Sequence, residues 1–490
     1  MFESVTPAAL RTFAAMLGLA AAAGCAVGPD YVEPKIEPPQ QFAHADNAAY
    51  SPQDAVGEFW TQFGDETLER LVNDALRANH DLRIALARVV EARALRGETR
   101  LDLLPQVTAG AGYTEQRLPR SLRIPGQDEE IYDASFDAFW ELDFFGRVRR
   151  AVEASTAEAQ SAEASLRDAQ VIVAAEVARV YFELRGQQSQ LDVARCNVQN
   201  QRETLDITKV RLDAGRGTEL DTSRAQAQLS ATLSLIAPLE AAVARSIHRL
   251  GVLTGREPTA LLNELSTPRD LPPLPDLVAV GDPAALLRRR PDIRAAERAL
   301  AASTARIGIA VADLFPRVTF VGSVGYAASD AGELGDTGTG TRLIAPAITW
   351  AAFDLGRVRA RIAGARARAE GSLAFYEQTV LRALEDTENA LVTHARARER
   401  LEHVTESARA SRAAAQLARV RFDGGMVDFL QVLDAERTVL EAEDRLARSR
   451  AEAATSLVAV YKALGGGWED APIPVRAALA AREPLRTGSR

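Results

Sequence analysis

Val177, Leu184, Leu191, Val198, Leu205 and Leu212 follow one another at strict sevens in a stretch without proline from Arg147 to Leu212. Ala, Glu, Arg, Gln and Leu dominate around them. An apolar residue every seventh position predicts one long helix whose seam keeps facing the same neighbour. At 1.5 Å per residue it would be roughly 100 Å long. Arg357 to Phe422 is also proline-free, with a looser apolar series of Leu373, Val380, Leu384, Leu391, Leu401 and Val404. Each stretch stops at a glycine-bearing turn, Asp213-Ala-Gly-Arg-Gly217 or Asp423-Gly-Gly425, after which a second helix returns. The chain therefore carries two long helical hairpins.

Ahead of each hairpin the period drops to two. Tyr132, Ala134, Phe136, Ala138, Trp140, Leu142 and Phe144 alternate with Asp133, Ser135, Asp137, Phe139, Glu141 and Asp143. Val107, Ala109, Ala111 and Tyr113 alternate with Gln106, Thr108, Gly110, Gly112 and Thr114; Val318, Phe320, Val324 and Tyr326 share one parity. A last strand is expected over Thr341 to Phe353, interrupted by Pro346, which breaks a ladder bond or marks a bend. Apolar on one side and acidic or small on the other suits a membrane β-barrel wall, but a sandwich with one buried face alternates equally well.

The elements recur. Asp81-Leu-Arg83 returns as Asp292-Ile-Arg294 and Leu103-Leu-Pro105 as Leu314-Phe-Pro316, both shifted by 211. Trp140 returns as Trp350, Gly146-Arg-Val-Arg149 as Gly356-Arg-Val-Arg359, and Val210-Arg-Leu-Asp213 as Val420-Arg-Phe-Asp423, shifted by 210. A doubled unit of this size implies a pseudo-twofold fold. Two strand hairpins give four strands, too few to close a barrel, and open edges are not tolerated in lipid. Copies of the chain are needed: two would supply eight strands, three twelve. Long helices without a central core also need lateral neighbours. A ring of chains meets both demands.

Composition narrows the function. The 490 residues carry 58 basic and 67 acidic side chains, a net charge of −9, with no basic tract to suggest nucleic acid. Two cysteines make no disulfide framework, and the five histidines show no metal-ligand spacing. No nucleotide-binding loop and no nucleophile-and-base arrangement is visible, so an enzyme is a distant reading. Phe13 to Ala23 is an apolar run of export-signal length, short of the roughly 20 residues a spanning helix needs. No later run reaches that length. The signal ends in Ala22-Ala23-Gly24-Cys25. That resembles a lipoprotein cleavage site with Cys25 as the acylated N-terminus, although Ala22 stands where leucine is usual. Cys196 is read as a small core residue of the long helix.

Cys25-Ala-Val-Gly-Pro-Asp-Tyr-Val-Glu-Pro34, Arg288-Arg-Arg-Pro-Asp-Ile-Arg-Ala-Ala-Glu-Arg298 with Leu314-Phe-Pro316, and Phe429-Leu-Gln-Val-Leu-Asp-Ala-Glu436 occur in this order. Together they resemble the outer-membrane efflux channels, the TolC-like family in its OprM/NodT lipoprotein branch. The resemblance implies a mixed α and β membrane protein, internally duplicated: a trimeric twelve-stranded outer-membrane β-barrel continued by a long periplasmic α-helical barrel. On it, residues 1–24 are a signal and 25–60 a lipid-anchored extension. Residues 61–105 and 283–316 hold the shorter tunnel helices, 106–145 and 317–355 the barrel hairpins, and 146–254 and 356–465 the long hairpins. Segments 255–282 and 466–490 contribute to an equatorial belt.

The resemblance also implies a passive exit duct for small molecules, with a lipid on Cys25 and no other cofactor. Its partners would be a periplasmic adaptor and an inner-membrane transporter of the resistance-nodulation-division (RND) type. Leu430 and Asp434, four apart on one helical face, match the positions that narrow the tunnel in the OprM branch, with Asp428 and Asp423 flanking the turn. A leucine ring would resist water and an aspartate ring would prefer cations. Read without the resemblance, Asp434 is a solvated charge or a partner of Arg437 or Arg421. Arg147/Arg149 and Arg357/Arg359 open each long helix, as rim chemistry or as ordinary interfacial charges. Two rivals stand beside the drug-efflux duct. One is an exit channel for type I protein secretion or metal-cation efflux. The other is a lipid-anchored coiled-coil scaffold without a pore, which leaves the alternating strands unexplained.

Overall fold

The computed structural model of the chain describes residues 26–45, 49–53, 57–116 and 130–468. The signal segment, Cys25 and the tail beyond residue 468 lie outside the described residues. The chain divides into two compact units. One holds the residues up to Lys35 with Arg88–Glu163 and Arg294–Gln378; the other holds Ile36–Ala87, Ala164–Ile293 and the residues from Thr379.

The main elements come in two matching sets. The first is α1 (Glu66–Ala78), α2 (His80–Leu101), β1 (Gln106–Glu115), β2 (Glu130–Leu142), α3 (Arg147–Asp213) and α4 (Glu219–Leu253). The second is α5 (Pro283–Arg289), α6 (Pro291–Ala312), β3 (Arg317–Ala328), β4 (Gly340–Thr349), α7 (Leu355–Asp423) and α8 (Phe429–Ala463).

In the unit that carries the strands, one antiparallel sheet runs β1-β2-β3-β4. Its register sets Tyr113 opposite Tyr132, Ala134 opposite Tyr326, and Val324 opposite Arg342. Because side chains alternate along each strand, the apolar sets of both repeats fall on one common face. Trp140 Nε1 donates to Leu103 O at 3.1 Å, and Trp350 Nε1 donates to Leu314 O at 2.9 Å. The doubled sequence thus repeats the same anchor below each hairpin. β4 ends at Thr349, just before the anchored Trp350 and four residues short of the expected Phe353.

The other unit buries the apolar core. Phe59, Trp60, Phe63, Leu68, Tyr181, Phe182, Leu184, Leu457 and Tyr461 are enclosed there. Phe63 meets Phe182 at 4.8 Å between ring centroids, and Phe59 stacks on Tyr461 at 5.1 Å. The link after α4 joins this core through Leu261, Leu265 and Val278. A short parallel pairing of Tyr50–Ser51 with Val278–Ala279 holds it to the segment before α1. The seam of α3 behaves as its spacing predicts: Val177, Leu184, Leu191, Val198 and Leu205 are buried. Cys196 lies off that seam and is exposed rather than a core residue. One described helix, α4, is long and apolar enough by composition to cross a membrane. Ser, Thr and Gln dilute its leucines, so it contains no long unbroken apolar run.

The Arg288-Arg-Arg-Pro-Asp-Ile-Arg294 motif has a structural task. Pro291 opens α6, where a fixed φ and a missing N–H cost nothing. Arg290 donates from Nη1 to Ala463 O at 2.9 Å, capping the end of α8, and forks onto Asp292 at 2.7 Å. Asn79, its counterpart in the first repeat, donates to Leu253 O at 2.9 Å at the end of α4. Both satisfy a carbonyl that a helix C-terminus leaves without an intrahelical partner.

Candidate channel-forming surfaces

The sheet offers a surface too apolar for water. Phe136, Val324 and Ile344 on the common face are 61%, 62% and 73% exposed in the single chain. Val107, Tyr113, Tyr326 and Ile348 are exposed beside them. Tyr113 and Tyr132 touch at one end of this face, and Trp140 and Phe320 stand opposite each other toward the other end. Eight residues separate Tyr132 from Trp140, about 27 Å along a strand and about 20 Å after a 40° tilt. That approaches the roughly 25 Å apolar band, with aromatic girdles, of a transmembrane barrel. The reverse face carries Thr108, Asp133, Ser135, Asp137, Glu141 and Ser323, with Ile131, Phe139, Val321 and Leu343 as the larger apolar exceptions.

Below the sheet, the charges at the start of α3 are satisfied within the chain. Asp143 accepts from the backbone N–H groups of Val148 and Arg149 at 3.1 and 2.9 Å, capping the helix. Arg147 pairs with Glu141, and Arg149 with Asp143. This favours the ordinary interfacial reading of these arginines over a special rim chemistry.

The segment after Cys25 docks in the same unit. Val27 N donates to Phe145 O at 3.1 Å, and Arg150, itself buried, donates to Val27 O at 3.2 Å and pairs with Asp30 at 2.6 Å. Gly28, at φ +91°, crosses Gly308 so closely that a Cβ would stand 2.5 Å from the Gly308 Cα. Tyr31 donates to Glu297 and packs on Ala157, Ala301 and Ala302. The Gly-Pro-Asp-Tyr sequence is therefore a strap fitted to its bed, and no role in chemistry is needed to explain it.

At the far end of the long hairpins, both turns use one geometry. Gly215 and Gly425 have φ of 70° and 71°, the left-handed conformation glycine adopts without penalty. Arg216 N returns to Arg211 O at 2.8 Å and Met426 N to Arg421 O at 2.9 Å, closing equivalent helix ends. Thr218 and Asp428 then cap the returning helices. Asp428 accepts from Gln431 N at 3.2 Å, and Asp423 is the exposed last residue of α7.

Phe429, Val432 and Glu436 turn inward on α8, so Leu430 and Asp434 turn outward. Leu430 is 49% exposed; Asp434 pairs with Arg437 at 3.4 Å, with 68% of its side chain exposed. A pair so open to water contributes about 0–1 kcal/mol and leaves Asp434 free to answer another partner. Two further features mark this tip. Shifting by 210 places Leu220 and Arg224 of α4 where α8 has Leu430 and Asp434, and both are exposed. Glu436 is buried, accepting from Arg419 at 2.7 Å and from Thr204 of α3 at 3.1 Å. Beside it, Arg211 lies 3.7 Å over the Phe422 ring, so the two hairpins of one chain are fastened together at the tip.

Similarity to known proteins covers both repeats. The family model described as outer membrane efflux protein matches residues 71–256 and again 283–466. The toluene efflux pump outer membrane protein TtgF of Pseudomonas putida is 31% identical over 470 residues, 92% of this chain and 95% of that protein. Nodulation protein T of Rhizobium leguminosarum bv. trifolii is 29% identical over 449 residues, 91% of this chain and 95% of that one. Among solved structures, the outer-membrane channel OprN is 44% identical with a TM-score of 0.83, spanning 91% of this chain and 100% of its own. The open-state MtrE channel of Neisseria gonorrhoeae is 30% identical with a TM-score of 0.80, spanning 91% and 99%.

Proposed function

The chain belongs to the outer membrane efflux protein family, and from that premise we propose that three copies close one barrel and one helical tunnel, gated at the hairpin tip. The duct is passive, is not an enzyme, and sits in the outer membrane reaching into the periplasm. It carries small toxic molecules delivered by an inner-membrane RND transporter and a periplasmic adaptor. The toluene and antibiotic pumps of the relatives are this class of cargo. Selection of cargo then belongs to the transporter, because the duct needs only width and a gate.

The observation that carries the reading is the sheet: an exposed apolar face approaching membrane height, whose two edge strands have no outer partner among the described residues. In lipid such edges must be closed, and copies of the chain close them. Acylation of Cys25 would add hold at about 0.8 kcal/mol per buried CH₂. The docked strap beginning at Ala26 supports that placement. At the tip, Leu430 and Asp434 from each copy form the constriction, with Asp423 and Asp428 making its mouth acidic. Their outward aim and light pairing support this role.

The test is conductance of the detergent-purified protein in a planar bilayer, compared with Asp434→Ala. Small cation-preferring currents that grow in the variant are expected. Equal currents from both trimers would remove the gate and keep the duct. A protein that never forms trimers would remove both.

A further inference from the structure

The open edges of the sheet can be given a register. One hydrogen bond fixes which backbone groups point out of them: Ala327 N donates to Thr339 O at 2.9 Å. Residues 327 and 339 continue the β3–β4 ladder, in which paired numbers add to 666, as Arg317 and Thr349 do. In an antiparallel ladder a residue aims its N–H and C=O to one side and the next residue aims them to the other. Odd residues of β3 and β4 therefore bond each other, and even residues of β4 aim outward: Ile344, Pro346 and Ile348. Even residues of β3 bond even residues of β2, whose odd residues bond even residues of β1. Ala111, Tyr113 and Glu115 of β1 are left aimed out of the other edge.

The duplication supplies the rest. The first hairpin pairs on a total of 245 and the second on 666; the difference, 421, is the two repeat shifts of 211 and 210 taken together. The hairpins are thus in identical register. Inside the chain, repeat one meets repeat two where β2 pairs with β3 on a total of 460, as Tyr132 does with Ala328. A junction from repeat two to repeat one of the next copy repeats that arrangement. It advances β2 by 210 to β4 and sets β3 back by 211 to β1, so the total becomes 459.

We infer that β4 of one copy pairs antiparallel with β1 of the next on this total, an inference that rests on the barrel reading above. Ile344, Pro346 and Ile348 stand in hydrogen-bonded pairs with Glu115, Tyr113 and Ala111 of the partner subunit. Ala345, Ala347 and Thr349 stand in the closer, non-hydrogen-bonded pairs with Thr114, Gly112 and Gly110 of the partner subunit. The total is consistent with the bonding sides of both edges. Being odd, it matches outward residues with outward residues; an even total would set them against groups already bonded inside the sheet. It also aligns the apolar faces, laying the Pro346 ring beside the Tyr113 ring of the partner subunit. Pro346 has no N–H, so it falls where the seam, not the chain's own sheet, forgoes a bond.

Four positions test the register. In a Cys196→Ser chain, Ala345→Cys is combined with Thr114→Cys, and Ala347→Cys with Gly112→Cys. The crossed combinations, Ala345→Cys with Gly112→Cys and Ala347→Cys with Thr114→Cys, use the same sites. Directly opposed Cα atoms lie about 4.5 Å apart in such pairs and diagonal neighbours about 7–8 Å apart, whereas a disulfide spans about 4.4–6.8 Å. After oxidation, matched pairs should run as covalent trimers on a denaturing non-reducing gel and crossed pairs as monomers. Chains with only one of the four introduced cysteines should also run as monomers, which excludes bonds through Cys25. Cross-linking by the crossed pairs, or by none while unheated samples still run as trimers, overturns the register and leaves the duct standing. Absence of trimers in the unsubstituted protein overturns the barrel reading instead.

Discussion

The buried charge at the hairpin tip makes the sharpest stability prediction. Glu436 accepts from Arg419 through Nε at 2.9 Å and Nη2 at 2.7 Å and from the Thr204 hydroxyl at 3.1 Å; its side chain is 7% exposed. Its second oxygen is buried without a partner among the described residues. Arg419→Ala would leave that carboxylate facing one hydroxyl. Stripping one member from a buried pair costs about 3–5 kcal/mol. Arg419 is 39% exposed, which lets water reach the site, so the lower end applies. About 3 kcal/mol corresponds to roughly 100-fold more frequent opening. Hydrogen exchange of the detergent-solubilised protein reads this locally: amides around residues 418–440 should exchange roughly 100-fold faster while those of β2 stay unchanged. The double variant Arg419→Met, Glu436→Leu should return close to the native rate, because it removes the charge along with its partner. A tip that exchanges normally in Arg419→Ala, or a double variant as fast as the single one, would overturn this account of Glu436.

Burial pushes the Asp168 carboxyl up to about 6, with Asp292 adding to the rise and Arg290 and Lys462 opposing it. The folded protein therefore keeps a proton that the unfolded chain has released between about pH 4 and 6, so this group lowers stability as pH climbs through that window. Asp168→Asn should raise the midpoint of thermal unfolding above pH 6 and leave it unchanged near pH 4; a pH-independent difference would remove burial of the charge as the cause. Gly28→Ala should release the strap, because the methyl group has only Gly308 backbone to move into. Protease sensitivity between residues 26 and 35 should rise, and a strap as protected as the native one would contradict the close crossing.

The parts of the fold legible in the sequence are those written as periods. The sevens of α3 became a buried seam, and the twos of both repeats fell on one face once the register was known. Parity alone could not tell barrel wall from sandwich. The exposure of Phe136 and Val324, with two sheet edges left open among the described residues, is what supports the proposed barrel over a sandwich. Glu436 was not legible, because a glutamate on a helix ordinarily faces water and only the bond from Thr204, 232 residues away in sequence, shows otherwise. The full meaning of the arginine-rich motif was hidden for the same reason. Arg290 reaches the end of α8, and nothing near it in sequence announces Ala463.

The two repeats separate what geometry demands from what chemistry chooses. Where backbone must turn or end, they agree in detail: Gly215 with Gly425, and Trp140 with Trp350. Where only a hydrogen-bond donor is required they agree in task but not in residue, as Asn79 and Arg290 show. On the outward face of the tip the leucines persist, Leu220 and Leu430, while the charge reverses from Arg224 to Asp434. A ring in which the hairpins alternate would then carry both signs around one collar of leucines. Opposite charges side by side draw neighbours together, whereas three aspartates alone would push them apart. Under the gate proposed above, the reversal would favour a tip that rests closed, with the leucines excluding water and the paired charges resisting separation. In that proposal, an adaptor that binds Arg224 or Asp434 would weaken the attraction without the duct spending energy of its own.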